Sequence, residues 1–357
     1  MKILIIQQKR IGDVLTSTIL CNTLKQNYPD ATIDFMCYAD CIDVLAGNPN
    51  IDSVITLTPE IKKSTLDFLK FIFKIRSRKY TILIDVYGKL ETNLISIFSG
   101  AYYKISYHKW YSSLFYNHNL KRHQDNETTE NGHAIDNRLL LLKPILKSFN
   151  KTDCKPKLYV SSAENNYASS LFKKHNLSDE NKIIMISLLG SEKAKTYPLE
   201  YMAKVIEFVA AERDVKILFN YFPNQIKEAR TIFDLCSETT KTKIAFDLLG
   251  HDLRSFIAIM NKCDVIIGND GGAVNIAKAL DKPSFTIFSP HVRKNDWAVF
   301  ENGLTNIAVH LKDYKPELFN LKSSKEIKHD FLSLYQALNP ELFKEQLLFF
   351  LNQNLKK

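Results

Sequence analysis

No apolar run in the 357-residue chain approaches the roughly 18 residues needed to span a bilayer. The longest, Leu139–Leu142 and Leu347–Leu351, are short and flanked by lysines or amides. The opening MKILIIQQKRIGD has a charge and an apolar stretch but lacks the small-residue cleavage site of an export signal. It reads as a first buried strand, and the chain as cytoplasmic. No C-x-x-C pair or His cluster accompanies the six cysteines, Cys21, Cys37, Cys41, Cys154, Cys236 and Cys263. Reduced, buried thiols are therefore expected, and no metal site. Neither G-x-G-x-x-G nor a Walker A motif occurs, which weighs against NAD enzymes and P-loop NTPases. Helix-turn-helix, zinc-finger and RNP-like patterns are missing too, so no nucleic-acid partner is expected. The formal charge of +9 then points to another polyanion or to an anionic membrane surface.

What is present is an alternation of short β-rich runs and amphipathic helical stretches, the pattern of parallel sheets wrapped by helices. The length suits two α/β domains of about 150–180 residues each. Strands are predicted at Lys2–Ile6, Thr32–Cys37, Ser53–Leu57, Thr81–Asp85 and Tyr102–Ser106, with helices at Val14–Asn27, Ser64–Ser77, Glu91–Ser99 and His133–Phe149. After a polar segment around Asn150–Pro156 the rhythm restarts. Strands are predicted at Lys182–Leu189, Val215–Asn220, Lys243–Asp247, Asp264–Gly268 and Ser284–Phe288. Helices are predicted at Leu199–Glu212, Asn224–Cys236, Leu253–Lys262 and Ala273–Leu280. The domains are placed at 1–152 and 153–331. A last helix, Leu332–Asn354 within 332–357, is expected to pack back on the first domain.

Three loops carry chemistry. Lys9-Arg10-Ile11-Gly12-Asp13-Val14 follows the first strand, at the sheet edge where α/β domains collect ligands. Asp13 either points into that site or caps the helix beginning at Val14. Lys9 and Arg10 offer cations for an anionic substrate. In Gly268-Asn269-Asp270-Gly271-Gly272-Ala273 a buried strand meets two glycines and a helix start, whose free N–H groups suit a diphosphate. The same residues are compatible with a plain strand-to-helix turn. In Gly190-Ser191-Glu192-Lys193-Ala194-Lys195-Thr196-Tyr197-Pro198, Gly190 and Ser191 offer donors to an anion and Lys195 a mobile cation.

Together these loops resemble glycosyltransferase family 9, the ADP-heptose:lipopolysaccharide heptosyltransferases. Arg10-Ile11-Gly12-Asp13-Val14 is similar to that family's start, and Lys195-Thr196-Tyr197-Pro198 to its Lys-x-Trp-Pro element. Asn269-Asp270-Gly271-Gly272 with Ala277, Leu280, Pro283 and Phe288-Ser289-Pro290 resembles its Asp-Ser/Thr-Gly…His…Pro…Phe-Gly-Pro block. The resemblance implies a GT-B fold, two Rossmann-like domains with parallel sheets facing across a cleft. It implies an inverting, metal-independent transfer with no separate cofactor, from ADP-heptose or another nucleotide sugar to an anionic glycolipid of the lipopolysaccharide inner core. Asp13 matches the catalytic base. Lys9, Arg10 and Gly12 fall on the acceptor side, and Gly190, Ser191, Lys195, Asp270, Gly271, Gly272, Asn275 and Lys278 on the donor side.

The chain departs from the pattern at Asn275, where the family has His, at Gly271, where it has Ser or Thr, and at Tyr197, where it has Trp. Lys278, one turn beyond Asn275, is expected to supply the missing charge. Other readings stay open: a different nucleotide-sugar donor, a nucleotide-sugar epimerase, or a non-catalytic sugar-nucleotide-binding protein. Between Ile61 and Lys79 stand seven cations against Asp67, interleaved with Leu66, Phe68, Leu69, Phe71, Ile72, Phe73 and Ile75. That stretch reads as an ordinary amphipathic helix, as a peripheral contact with the inner face of the inner membrane, or as both. His108, Lys109, Trp110, Lys121, Arg122 and His123 form a second basic, aromatic region, either a solvated loop or part of an acceptor site.

Overall fold

The computed structural model describes residues 1–124, 131–148, 154–178, 180–212 and 214–355. Ile3, Leu4, Ile5 and Ile6 are fully buried, as a strand covered on both faces must be. This strand, β1 (Lys2–Ile6), centres a six-stranded sheet with β2 (Thr32–Cys37), β3 (Ser53–Thr56), β4 (Ile82–Asp85), β5 (Tyr103–Tyr107) and β6 (His118–Leu120). The order is β3-β2-β1-β4-β5-β6 and every pairing is parallel. The second sheet comprises β7 (Lys182–Ser187), β8 (Val215–Asn220), β9 (Ile244–Ala245), β10 (Val265–Asn269), β11 (Ser284–Ile287) and β12 (Asn306–Val309). Its order is β12-β11-β10-β7-β8-β9, again all parallel. Both sheets therefore reverse strand order beside their first strand, at β1/β4 and at β7/β10. Ligands of open α/β sheets collect outside the carboxyl ends at such points.

The chain divides into two units, Met1–Tyr159 and Val160–Lys357. The boundary expected at 152/153 lies outside the described residues. β6 and β12 were not anticipated, because both are short edge strands and the β6 segment His-Asn-Leu carries no apolar pattern. The Ser162–Lys174 helix was also passed over, although Ser161 and Glu164 form a complete capping box at its start. The helix expected over His133–Phe149 ends at Leu140, and Pro144 follows closely.

The C-terminal region corrects two expectations. It is not one helix over Leu332–Asn354, because Pro340 opens a short turn between Phe331–Ala337 and Lys344–Asn354. Its apolar face is taken up by the second unit's own core, where packing on the first domain was expected. Leu347, Phe350, Leu351 and Leu355 join Tyr197 and Phe285 there, and an aromatic cluster gives them their slot. All six cysteines are free and buried, as expected. Burial pushes the thiols of Cys37, Cys41 and Cys236 up to about 12.

Candidate active site

In the first unit, β1 gives way to Lys9 and Arg10, and a helix runs over Ile11–Asn27. It starts three residues earlier than expected, so Asp13 does not occupy the cap. Arg10 does, and Asp13 sits in the first turn, its Oδ2 3.5 Å from the Arg10 N–H. A negative charge is favoured at that helix end. The other oxygen, Oδ1, accepts from Arg138 Nη2 at 2.9 Å. The same Nη2 reaches the Asp13 carbonyl at 3.2 Å, Arg138 Nε donates to Ser17 Oγ at 2.8 Å, and Ser17 donates to the Asp13 carbonyl at 2.7 Å. The guanidinium is thus wired to one helical turn. Its side chain is only 7% exposed while that of Asp13 is 32% exposed, so the carboxylate is held from below and open above.

Asp85, at the end of β4 across the switch point, is differently placed. It is fully buried and accepts from the Tyr87 and Gly88 N–H groups at 2.9 and 2.8 Å and from the Tyr116 hydroxyl at 2.5 Å. Burial raises its pKa despite these bonds. It is committed to shaping a turn. Asp13 is the carboxylate here with room for a substrate. Lys9 and Arg10 are exposed beside it and Gly12 is half-buried. Arg138 escaped the sequence reading because it lies in Arg-Leu-Leu-Leu-Leu, with no motif around it. The available signal was physical: a charge inside an apolar run must find a partner if the run is buried.

In the second unit, Asn269 ties the switch point together. Its side-chain amide donates to the carbonyls of Ser187 and Leu188 at 3.1 and 2.9 Å, and its oxygen accepts from the Tyr197 N–H at 2.7 Å. Gly190 is required by this fold-back. A Cβ there would stand 2.3 Å from the Lys195 carbonyl oxygen. Its N–H donates to Thr196 Oγ1 at 3.1 Å, so the donor expected to face an anion is already spent. Ser191 is exposed, and Lys195 is half-exposed with no ion pair among the described residues. Tyr197 is fully buried, its hydroxyl donating to the Leu338 carbonyl. It anchors the C-terminal segment against Tyr335 and Phe343.

Asp270 follows β10. Burial raises its pKa, opposed by the nearby charges of Lys195 and Lys278. Gly271 caps the Gly272–Ala279 helix in an extended conformation, and no atom lies within 4 Å of a Cβ built on it. The protein itself leaves that space open, above N–H groups that a helix start leaves unpaired. Gly272 beside it is exposed. Asn275 is nearly buried and turns its amide back to the Gly271 carbonyl at 3.3 Å. Lys278 is also nearly buried, and its ammonium donates to the Val299 carbonyl at 2.8 Å. Burial brings its pKa down to about 8 against the pull of Asp270 and Glu301. Its ammonium is therefore not a free cation here, and the nearest charge it senses in this loop is Asp270.

An unforeseen imidazole lies within range of the Lys195 charge. The Ser289 hydroxyl donates to the Ala194 carbonyl at 2.6 Å and lies 2.7 Å from His291 Nδ1. With its own proton on the Ala194 carbonyl, Ser289 is left to accept from Nδ1–H of the ring. Burial, then the Lys195 charge, lowers the pKa of His291. The hint in sequence was its place directly after Phe288-Ser289-Pro290. Among the described residues no three His, Cys, Asp or Glu side chains gather as a metal site would require.

Residues 68–325 match the model of glycosyltransferase family 9 (heptosyltransferase). The chain belongs to that family. It is a glycosyltransferase, as its motifs led one to expect. It is similar to lipopolysaccharide heptosyltransferase 1 of Campylobacter coli, 26% identical over 303 residues that cover 81% of this chain and 84% of that one. Among solved structures, a family 9 glycosyl transferase from Veillonella parvula superposes with a TM-score of 0.74 at 16% identity, covering 97% of both chains. The E. coli heptosyltransferase WaaC with ADP gives a TM-score of 0.63 at 15% identity, covering 97% of this chain and 99% of that one. The family's GT-B fold accounts for the two parallel sheets.

Proposed function

We propose that this glycosyltransferase moves a heptose from ADP-heptose onto the inner core of a lipopolysaccharide or lipooligosaccharide, with inversion and with Asp13 as general base. The observation that carries the reading is the Asp13 carboxylate, fixed at Oδ1 by the buried Arg138 and accessible above. A base must be positioned before it can be effective, and here one oxygen is anchored by Arg138, the other is held only by a long 3.5 Å contact with the Arg10 N–H, and the side chain stays 32% exposed. Asp13 takes the proton of an acceptor hydroxyl as that oxygen attacks the anomeric carbon. The bond to the departing diphosphate breaks on the opposite face of the sugar. Lys9 and Arg10 steady the anionic acceptor.

In the second unit the growing charge on the leaving diphosphate is met by Lys195 and by the free N–H groups above Gly271 and Gly272. This gives to protein groups the task a divalent cation performs in other transferases. His291, beside Lys195, supplies the imidazole that Asn275 lacks. Asp270, balanced by Lys195 and Lys278, keeps both cations in place. The names of the relatives, lipopolysaccharide heptosyltransferases and one solved with ADP, support donor and acceptor alike. On this reading the transfer takes place on the cytoplasmic side of the inner membrane, where such a glycolipid is assembled.

The test is mass spectrometry of a truncated lipopolysaccharide after incubation with ADP-heptose, wild type beside Asp13→Ala. A one-heptose gain, lost in the variant, is the expected result. No gain while ADP still raises the melting temperature would refute this donor or acceptor and leave the nucleotide site standing. No gain and no response to ADP would refute the whole reading.

A further inference from the structure

The Thr65–Ser77 helix has two apolar faces where a helix packed on a core needs one. Phe71, Ile72 and Ile75 are buried against the first sheet's core, the stripe that folding demands. Leu66, Leu69 and Phe73, spaced three and four residues apart, form a second stripe on the opposite side. They are 70%, 43% and 66% exposed. Single exposed apolar residues are ordinary, but three in register on one helix are a built surface. The neighbouring Leu90–Phe98 helix extends it with Ile97 and Phe98, both exposed.

Charge surrounds this stripe with one sign. At about 100° per residue, Lys70 and Lys74 flank it on one side and Arg76 on the other. Lys63 precedes it and Lys79 follows. Only Lys70 has an acidic partner among these, the exposed Asp67 at 3.3 Å. Lys63, Lys74 and Lys79 have no ion pair among the described residues. At its far end the helix borders a groove of about 660 Å³ lined by Phe73, Arg76, Ser77, Lys79 and Ser99. Two cations beside an aromatic edge suit a phosphate carrying an acyl chain, while the Ser77 and Ser99 hydroxyls are spent on the Lys74 and Ser96 carbonyls.

We propose that this face seats the protein on an anionic phospholipid bilayer, the Leu66-Leu69-Phe73 stripe entering the headgroup boundary and the basic rim holding phosphates. An interfacial helix combines just these parts, apolar residues on one side with lysines and arginines beside them, and draws affinity from both. Among the described residues no helix is long and apolar enough to cross a membrane, so this is contact from one side. The proposal does not depend on the transferase reading, since it concerns a face that carries none of the residues assigned to transfer.

The test is flotation of the full-length protein with vesicles of phosphatidylglycerol and phosphatidylethanolamine, beside vesicles of phosphatidylcholine alone. The expected result is binding to the first kind only, weakened by added salt. Leu66→Ser with Phe73→Ser, and separately Lys63→Glu with Lys74→Glu, should each reduce binding about tenfold or more without moving the melting temperature. Equal binding by the variants, or none by wild type, would overturn the proposal. So would sedimentation showing that the wild type self-associates and the Leu66→Ser, Phe73→Ser protein does not, because the stripe would then meet a second copy. Because these vesicles hold no sugar acceptor, failure here and failure of transfer are read separately.

Discussion

The loops at the switch point of each sheet treat their charged groups in opposite ways. In the first unit Asp13 is bonded to Arg138, which is itself bonded to Ser17 and to the Asp13 carbonyl, so three hydrogen bonds of one guanidinium hold the carboxylate's helical turn. In the second unit Lys195 and Asp270 sense each other electrostatically without a hydrogen bond between them. On the proposed reading the contrast follows from two tasks. A proton acceptor must be aimed before its substrate arrives, and rigidity improves it. An anion site must keep its donors unspent until the ligand takes them, so there the protein leaves cations and N–H groups open.

The strongest way to break this comparison is through Arg138. Arg138→Met should lower the turnover of transfer about 100-fold while donor affinity changes little, and Arg138→Lys should recover part of the loss. Steady-state kinetics separating kcat from KM would decide it, and equal loss in both variants with weakened donor binding would mean a collapsed unit. Next come the two glycines. Gly190→Ala drives a Cβ into the Lys195 carbonyl and should cost about 2 kcal/mol of stability, lowering the melting temperature by several degrees. Gly271→Ala meets nothing in the protein, so it should leave melting unchanged and weaken ADP binding only if a phosphate occupies that space.

Lys195→Ala should weaken ADP binding about tenfold by calorimetry, and Lys278→Met by less, since Lys278 is already committed to Val299. The smallest effect is expected far from either loop, at Glu164 and Arg254. Their 2.7 Å ion pair holds the Glu164 carboxyl at about 2, well below its ordinary 4.5. Because the folded value is depressed, the pair stabilises above pH 4.5 and the contribution fades as pH falls toward 2. Glu164→Gln should therefore cost about 1 kcal/mol at neutral pH, and wild type and variant should converge in acid.

Much of the fold was legible because its strands are buried on both faces. β1, β2 and β8 were bounded to the residue, since apolar runs such as Lys-Ile-Leu-Ile-Ile end abruptly in polar loops. β6 and β12 were not, because an edge strand is chosen by its neighbour and not by its own composition. Of the candidate site, the parts within one loop could be read: Asp13 after β1, and Asp270 and Gly271 after β10. The partners brought in from elsewhere could not. Arg138 meets Asp13 across 125 residues, and His291 senses the charge of Lys195 because the strands place Ser289 against the Ala194 carbonyl. Lys278 shows the opposite error, since helical spacing gave its place while burial decided where its ammonium went.

The buried cysteines have a practical corollary for watching the enzyme work. Every one of the six thiols lies out of reach of solvent, and burial keeps them in the unreactive protonated form wherever a shift is seen. A cysteine introduced at the exposed Ser191 would therefore be labelled alone, with no need to strip the natural ones first. A dye at that position sits on the loop that carries Lys195, so a change in its emission on adding ADP would report in real time whether a nucleotide reaches that loop.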